Sequence, residues 1–368
     1  IVLVVDAGGM AMSAAALLHG FATYDQRTHI GGVIFNKVGS FGHEQLLREA
    51  AEAAGLPVLG LVRRRDQLTV PSRHLGLIPA AELGAPAVDA VDALAGIVAE
   101  SVDLEAVLRL ARTAPPLDPP PPADTPQPPE REQLPPSRPR VAFAAGPAFT
   151  FGYAEHPELL AAAGAEVVTF DPLHDEHLPD RVDALVIGGG FPEEHAAALS
   201  ANTRLRAEVA ALARSGAPVL AECAGLLYLT RSLDGHPMCG VLDADAAMTS
   251  RLTLGYRDAV AAAPSPLAAA GTRVHGHEFH RTAVTADRSG DAAADGSAGT
   301  ADGANANGAR AGAAWHWRRA DGPVTEGFVQ GQLYASYLHT HWSGVPGAAD
   351  RITAAAADYR ARTRGEAG

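Results

Sequence analysis

Between residues 113 and 139 the chain runs through Pro115-Pro-Leu-Asp-Pro-Pro-Pro-Pro122 and several further prolines. Neither a helix nor a sheet interior accepts such a run, because each proline lacks an N–H and its ring clashes with the preceding turn. A stretch of this kind is semi-extended and acts as a spacer. The halves on either side must therefore each close a core of their own, and 368 residues are enough for two. The expected organisation is a first domain over 1–112, a Pro-rich linker over 113–139 and a second domain over 140–368.

Both halves alternate short apolar runs with helical patterns. In the first, strands over 1–6, 30–36 and 58–62 are separated by helices over 11–24 and 44–54, and residues 82–112 read as helix. In the second, strands over 141–145, 167–170, 184–187 and 219–223 are interleaved with helices over 157–163, 204–215 and 224–232. A further strand is expected near 329–338. Apolar strands separated by helices of this length predict βαβ units and parallel sheets covered on both faces. The fold class is thus α/β, with two doubly wound open-sheet domains. Residues 286–313, almost wholly Ala, Gly, Asp, Ser and Asn, lack the apolar surface to order themselves and read as a flexible surface insertion.

Charge and cysteine use narrow the function classes. A net charge of -13 argues against nucleic acid and against a membrane surface, both of which favour a basic face. Two cysteines, Cys223 and Cys239, are too few for a secreted disulfide scaffold and have no clustered partners for structural zinc. No apolar run reaches the length of a membrane span, and a cytoplasmic setting is expected. The chain opens on the interior strand Ile1-Val-Leu-Val-Val5 without an initiator methionine, which predicts that an N-terminal part has been lost.

Three strings carry chemistry. Ala217-Pro-Val-Leu-Ala-Glu-Cys223-Ala-Gly225 is an apolar strand ending in cysteine, followed by small residues and a helix, the context of a nucleophile elbow. There the helix N-terminus is expected to lower the thiol pKa. The same string taken alone also suits a buried structural cysteine. Gly188-Gly189-Gly190 closes another strand and frees backbone N–H groups for an oxyanion hole, or simply makes a tight turn. His339, in Ser336-Tyr-Leu-His-Thr-His-Trp342, is the imidazole a nucleophilic thiol would need.

Together with Leu254-Gly-Tyr-Arg257 and Gly276-His-Glu-Phe-His280, these strings resemble the cobyrinate/hydrogenobyrinate a,c-diamide synthase family. So do Val5-Asp-Ala-Gly-Gly-Met10, Gly32-Val-Ile-Phe-Asn-Lys-Val-Gly39 and Pro71-Ser-Arg-His-Leu-Gly-Leu77 in the first half. The resemblance implies a P-loop-type synthetase remnant followed by a flavodoxin-like class I glutamine amidotransferase domain. It implies a ligase that uses ATP and Mg2+ and takes ammonia from glutamine to amidate the a and c acetates of a corrinoid. Cys223 would be the nucleophile and His339 its base, with Gly189, Gly190 and Ala224 as oxyanion donors. Tyr256, Arg257, His277, Glu278, His280 and His341 would line the glutamine site, and Asp6, Asn36, Arg73 and His74 the nucleotide or substrate site. No resident metal site is expected within the chain itself, and the resemblance allows a homodimer.

The sequence departs from the class I pattern in two places. His341 stands where many such enzymes have a glutamate two residues after the histidine, so a Cys–His pair is carried over and not a triad. Ala221 and Ala224 flank the elbow where glycine is common, which is tolerable only if neither backbone is left-handed. A Gly-x-x-x-x-Gly-Lys-[Ser/Thr] string is absent, so the glutaminase half alone is expected intact. Cobyric acid synthase, a nickel-sirohydrochlorin a,c-diamide synthase and a non-catalytic corrinoid-binding protein remain as alternative readings.

Overall fold

In a computed structural model the described residues are 1–65, 72–73, 76–77, 85–116, 138–286 and 311–365. The chain falls into two compact units, Ile1–Pro121 and Pro122–Gly368. Most of the linker read from the prolines, the central part of the 286–313 insertion, and His74 lie outside the described residues.

Unit 1 holds β1 (Val2–Asp6), β2 (Gly32–Val38) and β3 (Val58–Arg63), a parallel three-stranded sheet in that order, with the short pair β4 (Ser72–Arg73) and β5 (Gly76–Leu77). Helices Ala14–Tyr24 and Phe41–Ala53 supply Leu18, Leu47 and Ala50 to a core with Val5, Val33 and Phe35. The Ser40 hydroxyl caps the second helix by accepting the His43 N–H. The single helix expected over 82–112 is two, Ala85–Ser101 and Leu104–Ala111. The break comes where Val102 pairs with Gly60 and the Asp103 carboxylate accepts the Ala106 N–H at 2.8 Å, starting a new helix.

Unit 2 is built on β6 (Arg140–Ala144), β7 (Glu166–Phe170), β8 (Ala184–Ile187) and β9 (Val219–Glu222). A second group follows: β10 (Ser232–Leu233), β11 (His236–Pro237), β12 (Ala244–Ala261), β13 (Arg273–Ala286), β14 (Trp315–Arg319) and β15 (Gly322–Glu326). The chain then makes β16 (Phe328–Gln330), β17 (Leu333–Ser336) and β18 (His339–Thr340). The main sheet runs β16-β17-β9-β8-β6-β7, parallel except for the β16 edge. Its five parallel strands, counted along the chain, lie in the order 2-1-3-4-5, which is the flavodoxin-like arrangement.

Strand periodicity explains why both faces are dry. Ala142, Leu185, Ile187, Val219 and Ala335 point into one core with Leu199, Leu205 and Val209 of the helices Ala196–Ala201 and Thr203–Arg214. Their neighbours Val141, Phe143, Val186, Leu220 and Tyr334 point into the other, with Leu160, Ile352 and Ala356 of the helices Glu155–Ala162 and Ala348–Arg364.

Two features differ from the sequence expectation. Residues 329–338 are not one strand: Gly331, at φ 58°, turns β16 back antiparallel onto β17. A second, mostly antiparallel sheet was not anticipated. It runs β11-β10-β12-β13-β18, with β14 on β12 and β15 on β14, around the long β12–β13 hairpin.

Candidate active site

Ligands of open α/β sheets bind at the carboxyl ends of the strands, and there the chemistry-bearing residues of unit 2 collect. β9 ends in Glu222, and Cys223 then takes φ 52° and ψ -99° before the helix Ala224–Leu229 begins. A non-glycine residue holds such a conformation at a cost of about 1–3 kcal/mol, and only where its surroundings enforce it. Here the Cys223 N–H donates to the Ser336 carbonyl of β17 at 2.8 Å, and the Gly225 N–H donates to the Gly188 carbonyl at 3.0 Å. A Cβ on Gly225 would overlap the Ile187 carbonyl, so the elbow tolerates only glycine there. Ala221 and Ala224 both avoid positive φ, which accounts for their methyl groups.

The expected lowering of the thiol pKa is not what this environment produces. Cys223 is 5% exposed, and burial, followed by the nearby Glu193 carboxylate, pushes the thiol up to about 12 against the opposing Ala224 N–H. A helix of six residues carries too small a dipole to offset that desolvation.

The glycine turn is only partly free to hold an anion. Gly189 donates its N–H to the Phe151 carbonyl and accepts the Phe151 N–H, both at 3.0 Å, so it is removed from the expected oxyanion donors. The N–H groups of Gly190 and Ala224 have no backbone acceptor among the described residues. Gly190 packs so tightly on Ala148 that a Cβ would overlap the Ala148 carbonyl. A Cβ on Gly189 would stand 2.6 Å from His339 Cε1, which places the turn directly against that imidazole.

His339 sits on β18, antiparallel to β13 and opposite His277, and the two rings stack at 4.9 Å and 8°. A Cβ on Gly276 would come within 2.6 Å of the His339 carbonyl, which explains the glycine opposite β18. Burial, then His277 and His280, push His339 down to about 3, so its ring is neutral at physiological pH. A cavity of about 20 Å³, room for roughly one water, is lined by Phe143, Tyr153, His156, Glu222, His339 and Trp342 among others.

The remaining sequence candidates separate into groups. Glu278 is 3% exposed and ion-paired to Arg257 at 2.6 Å and Arg319 at 2.7 Å. Burial would raise its carboxyl, but His280, Arg257 and Arg319 hold it down to about 2. His280 stacks on Tyr337 at 3.7 Å, with Nδ1 on the Thr282 carbonyl at 2.8 Å. Tyr256, although it pairs with His277 through the backbone, is 92% exposed and stands apart from this cluster. His341 packs edge-on against Tyr153 at 4.7 Å and lies 3.7 Å from Glu155.

In unit 1, Asp6, which ends β1, is the register partner of Asn36 in β2. Lys37, first, and the Gly8 N–H hold the exposed Asp6 carboxyl below the usual range. Arg73 lies in β4.

Two carboxylates beside the site escaped the sequence reading. Glu222 accepts the Thr340 hydroxyl at 2.8 Å, next to His339, and burial pushes it up to about 8. Glu326 accepts the Ser336 hydroxyl at 2.5 Å and the Tyr337 N–H at 2.8 Å. Glu222 had a signal, standing inside the elbow string; Glu326 had none.

Residues 140–346 match the CobB/CobQ-like glutamine amidotransferase domain. The chain is similar to hydrogenobyrinate a,c-diamide synthase of Streptomyces coelicolor, 54% identical over 96% of this chain and 73% of that protein. It is 50% identical to the Mycobacterium bovis hydrogenobyrinate a,c-diamide synthase, over 97% of this chain and 72% of that one. The cobyrinate a,c-diamide synthase of Syntrophotalea carbinolica is 40% identical over 95% of this chain and 72% of its own length. The chain belongs to the hydrogenobyrinate/cobyrinate a,c-diamide synthase family, carbon–nitrogen ligases with glutamine as the amide donor.

Proposed function

We propose that unit 2 hydrolyses glutamine at Cys223 and that the ammonia released amidates the a and c acetate carboxylates of hydrogenobyrinate or cobyrinate in cobalamin biosynthesis. The observation that carries the reading is Cys223 held at φ 52° between the Gly188–Gly190 turn and the strand leading to His339. A thiol near 12 and an imidazole near 3 make a neutral pair, so no thiolate waits for substrate. In this reading the Cys223 Sγ attacks the glutamine amide carbon while His339 takes the thiol proton, then returns it to the departing nitrogen. The Gly190 and Ala224 N–H groups receive the oxyanion, each such donor being worth about 3 kcal/mol in the transition state. Water then cleaves the thioester to glutamate, again through His339.

The corrinoid as substrate is supported by the relatives at 54% and 50% identity. ATP and Mg2+ belong to the ligation half proposed for residues 1–112. Asp6 is the kind of carboxylate that magnesium takes, but both its oxygens already have partners in Lys37 and the Gly8 N–H. The described residues hold no glycine–lysine phosphate cradle and so do not make an ATP site by themselves. The Pro-rich 113–139 segment as linker, a cytoplasmic setting and a homodimeric assembly belong to the same proposal. No helix among the described residues is long and apolar enough to cross a membrane.

The test is ammonia and glutamate release from glutamine by the chain and by Cys223→Ala. Cys223-dependent release is expected, and equal release by both would refute the nucleophile assignment.

A further inference from the structure

We propose that Glu326 is a positioning residue for the Cys223–His339 pair, acting through Ser336 and the backbone of residues 336–338. The inference rests on the glutaminase reading and adds to it what orients the imidazole in a site that has His341 where an acid would follow the base.

Glu326 ends β15 of the second sheet, and Gly327 then carries the chain into β16 of the main sheet. Gly327 has φ 74°, and a Cβ there would stand 2.7 Å from Ala314 and 2.8 Å from the Ala335 carbonyl. The carboxylate is thus delivered, 5% exposed, to the seam between the sheets. Its two oxygens divide the connection from β17 to β18 between them. One accepts the Ser336 hydroxyl and the other accepts the Tyr337 N–H. The Ser336 oxygen in turn accepts the Leu338 N–H at 2.9 Å, and the Ser336 carbonyl accepts the Cys223 N–H. One side chain therefore fixes three consecutive residues whose near end holds the elbow and whose next residue is His339.

The chemistry of the donors explains the residue type. Ser336 presents an O–H and Tyr337 an N–H, so the seam asks for two acceptors, which a carboxylate supplies and an amide only half supplies. Among the described groups no cation is within ion-pair distance of Glu326, and the nearby Glu278 has the same sign. A buried, unpaired carboxylate is a costly way to fill space. Here the Ser336 hydroxyl and the Tyr337 N–H offset part of that cost, and burial still raises the group to about 7.

Glutamine hydrolysis by the parent, Glu326→Ala, Glu326→Gln and Ser336→Ala would be followed as separate kcat and KM values, with circular dichroism for folding. For Glu326→Ala, kcat should fall at least ~10-fold with KM within about twofold, the pattern of a lost positioning interaction. Glu326→Gln keeps an acceptor for Tyr337 and should recover most of kcat; Ser336→Ala should lose kcat in the same sense as Glu326→Ala. A folded Glu326→Ala chain with parental kcat, or a loss confined to KM, overturns the inference. If Glu326→Ala does not fold, parental kcat in Ser336→Ala overturns it. A parent without Cys223-dependent turnover would instead refute the glutaminase reading.

Discussion

Gly189→Ala tests the site at its tightest point. The added methyl would stand 2.6 Å from His339 Cε1, 3.1 Å from Phe151 Cβ and 3.2 Å from the Phe151 carbonyl. Ordinary carbon contacts begin near ~3.5 Å, so the Phe151 contacts need a shift of a few tenths of an ångström while the imidazole must retreat by about 1 Å. Its retreat is limited because the ring is stacked on His277. Gly189 is not at positive φ, so no backbone strain confuses the result. Overpacking of this kind costs about 1–3 kcal/mol of stability, and a ~1 Å displacement of a reacting group costs about 100-fold in rate, or ~2.7 kcal/mol of barrier. The assay is glutamate release under saturating glutamine beside a thermal melt, with Gly344→Ala as the control, since a Cβ there meets nothing within 4 Å. A folded Gly189→Ala chain whose kcat lies within about threefold of the parent would refute the placement of His339 against the turn.

The titrating groups give further predictions. A carboxyl whose folded pKa is raised, as Glu222 is to about 8 and Glu326 to about 7, stabilises the fold relative to the ionised state below its unfolded pKa. That contribution shrinks progressively as pH rises past the unfolded carboxylate pKa and is gone above the folded values, about 7 for Glu326 and about 8 for Glu222. Glu222→Gln should therefore match the parent in denaturant unfolding at pH 5 and exceed it by about 2–4 kcal/mol at pH 9; an equal difference at both pH values would count against the buried acid. Glu278, held near 2, has the opposite sign, and its contribution is present above its unfolded pKa and fades only as pH falls toward 2. Glu278→Ala leaves Arg257 and Arg319 without their carboxylate, and should destabilise the chain by roughly 3 kcal/mol at pH 7, read as a shifted urea midpoint. Because His339 stays neutral down to about 3, kcat/KM for glutamine should show no acid limb near pH 6.5. An acid limb near pH 6.5 would count against the buried, neutral His339 ring, since burial holds His277 below that range as well.

The main sheet of unit 2 was legible because strands buried on both faces are continuous apolar runs. Leu185-Val-Ile187 and Val219-Leu-Ala221 need no periodicity to be seen. The second sheet was not, because β12 is exposed along much of its length and reads as a mixed string, Thr249-Ser-Arg-Leu-Thr-Leu-Gly-Tyr256, across a bulge between Met248 and Thr253. Strands of two residues, such as β18, have no period at all. Cys223 and His339 stood out as strand-end residues of the right types. Which glycine of the turn keeps its N–H was invisible, since it depends on Phe151, 38 residues earlier and paired through the backbone. The thiol was misjudged for a related reason: a helix start is written locally, whereas the burial that outweighs it comes from the whole fold. Glu326 carries no local mark because its meaning lies in donors ten and eleven residues later, beyond a hairpin.

Cys223 follows a strand of the parallel sheet, whereas His339 belongs to β18 at the margin of the other. The two residues of the proposed pair are thus supported by different scaffolds that meet along residues 336–338. Such a layout makes turnover a strain gauge for the seam. Mild denaturant or a loosening substitution that lets one sheet slip on the other would silence the pair while both sheets still gave their full dichroism. The reverse also follows: material that tightens the seam from outside would raise the fraction of molecules ready to react, without contacting either Cys223 or His339.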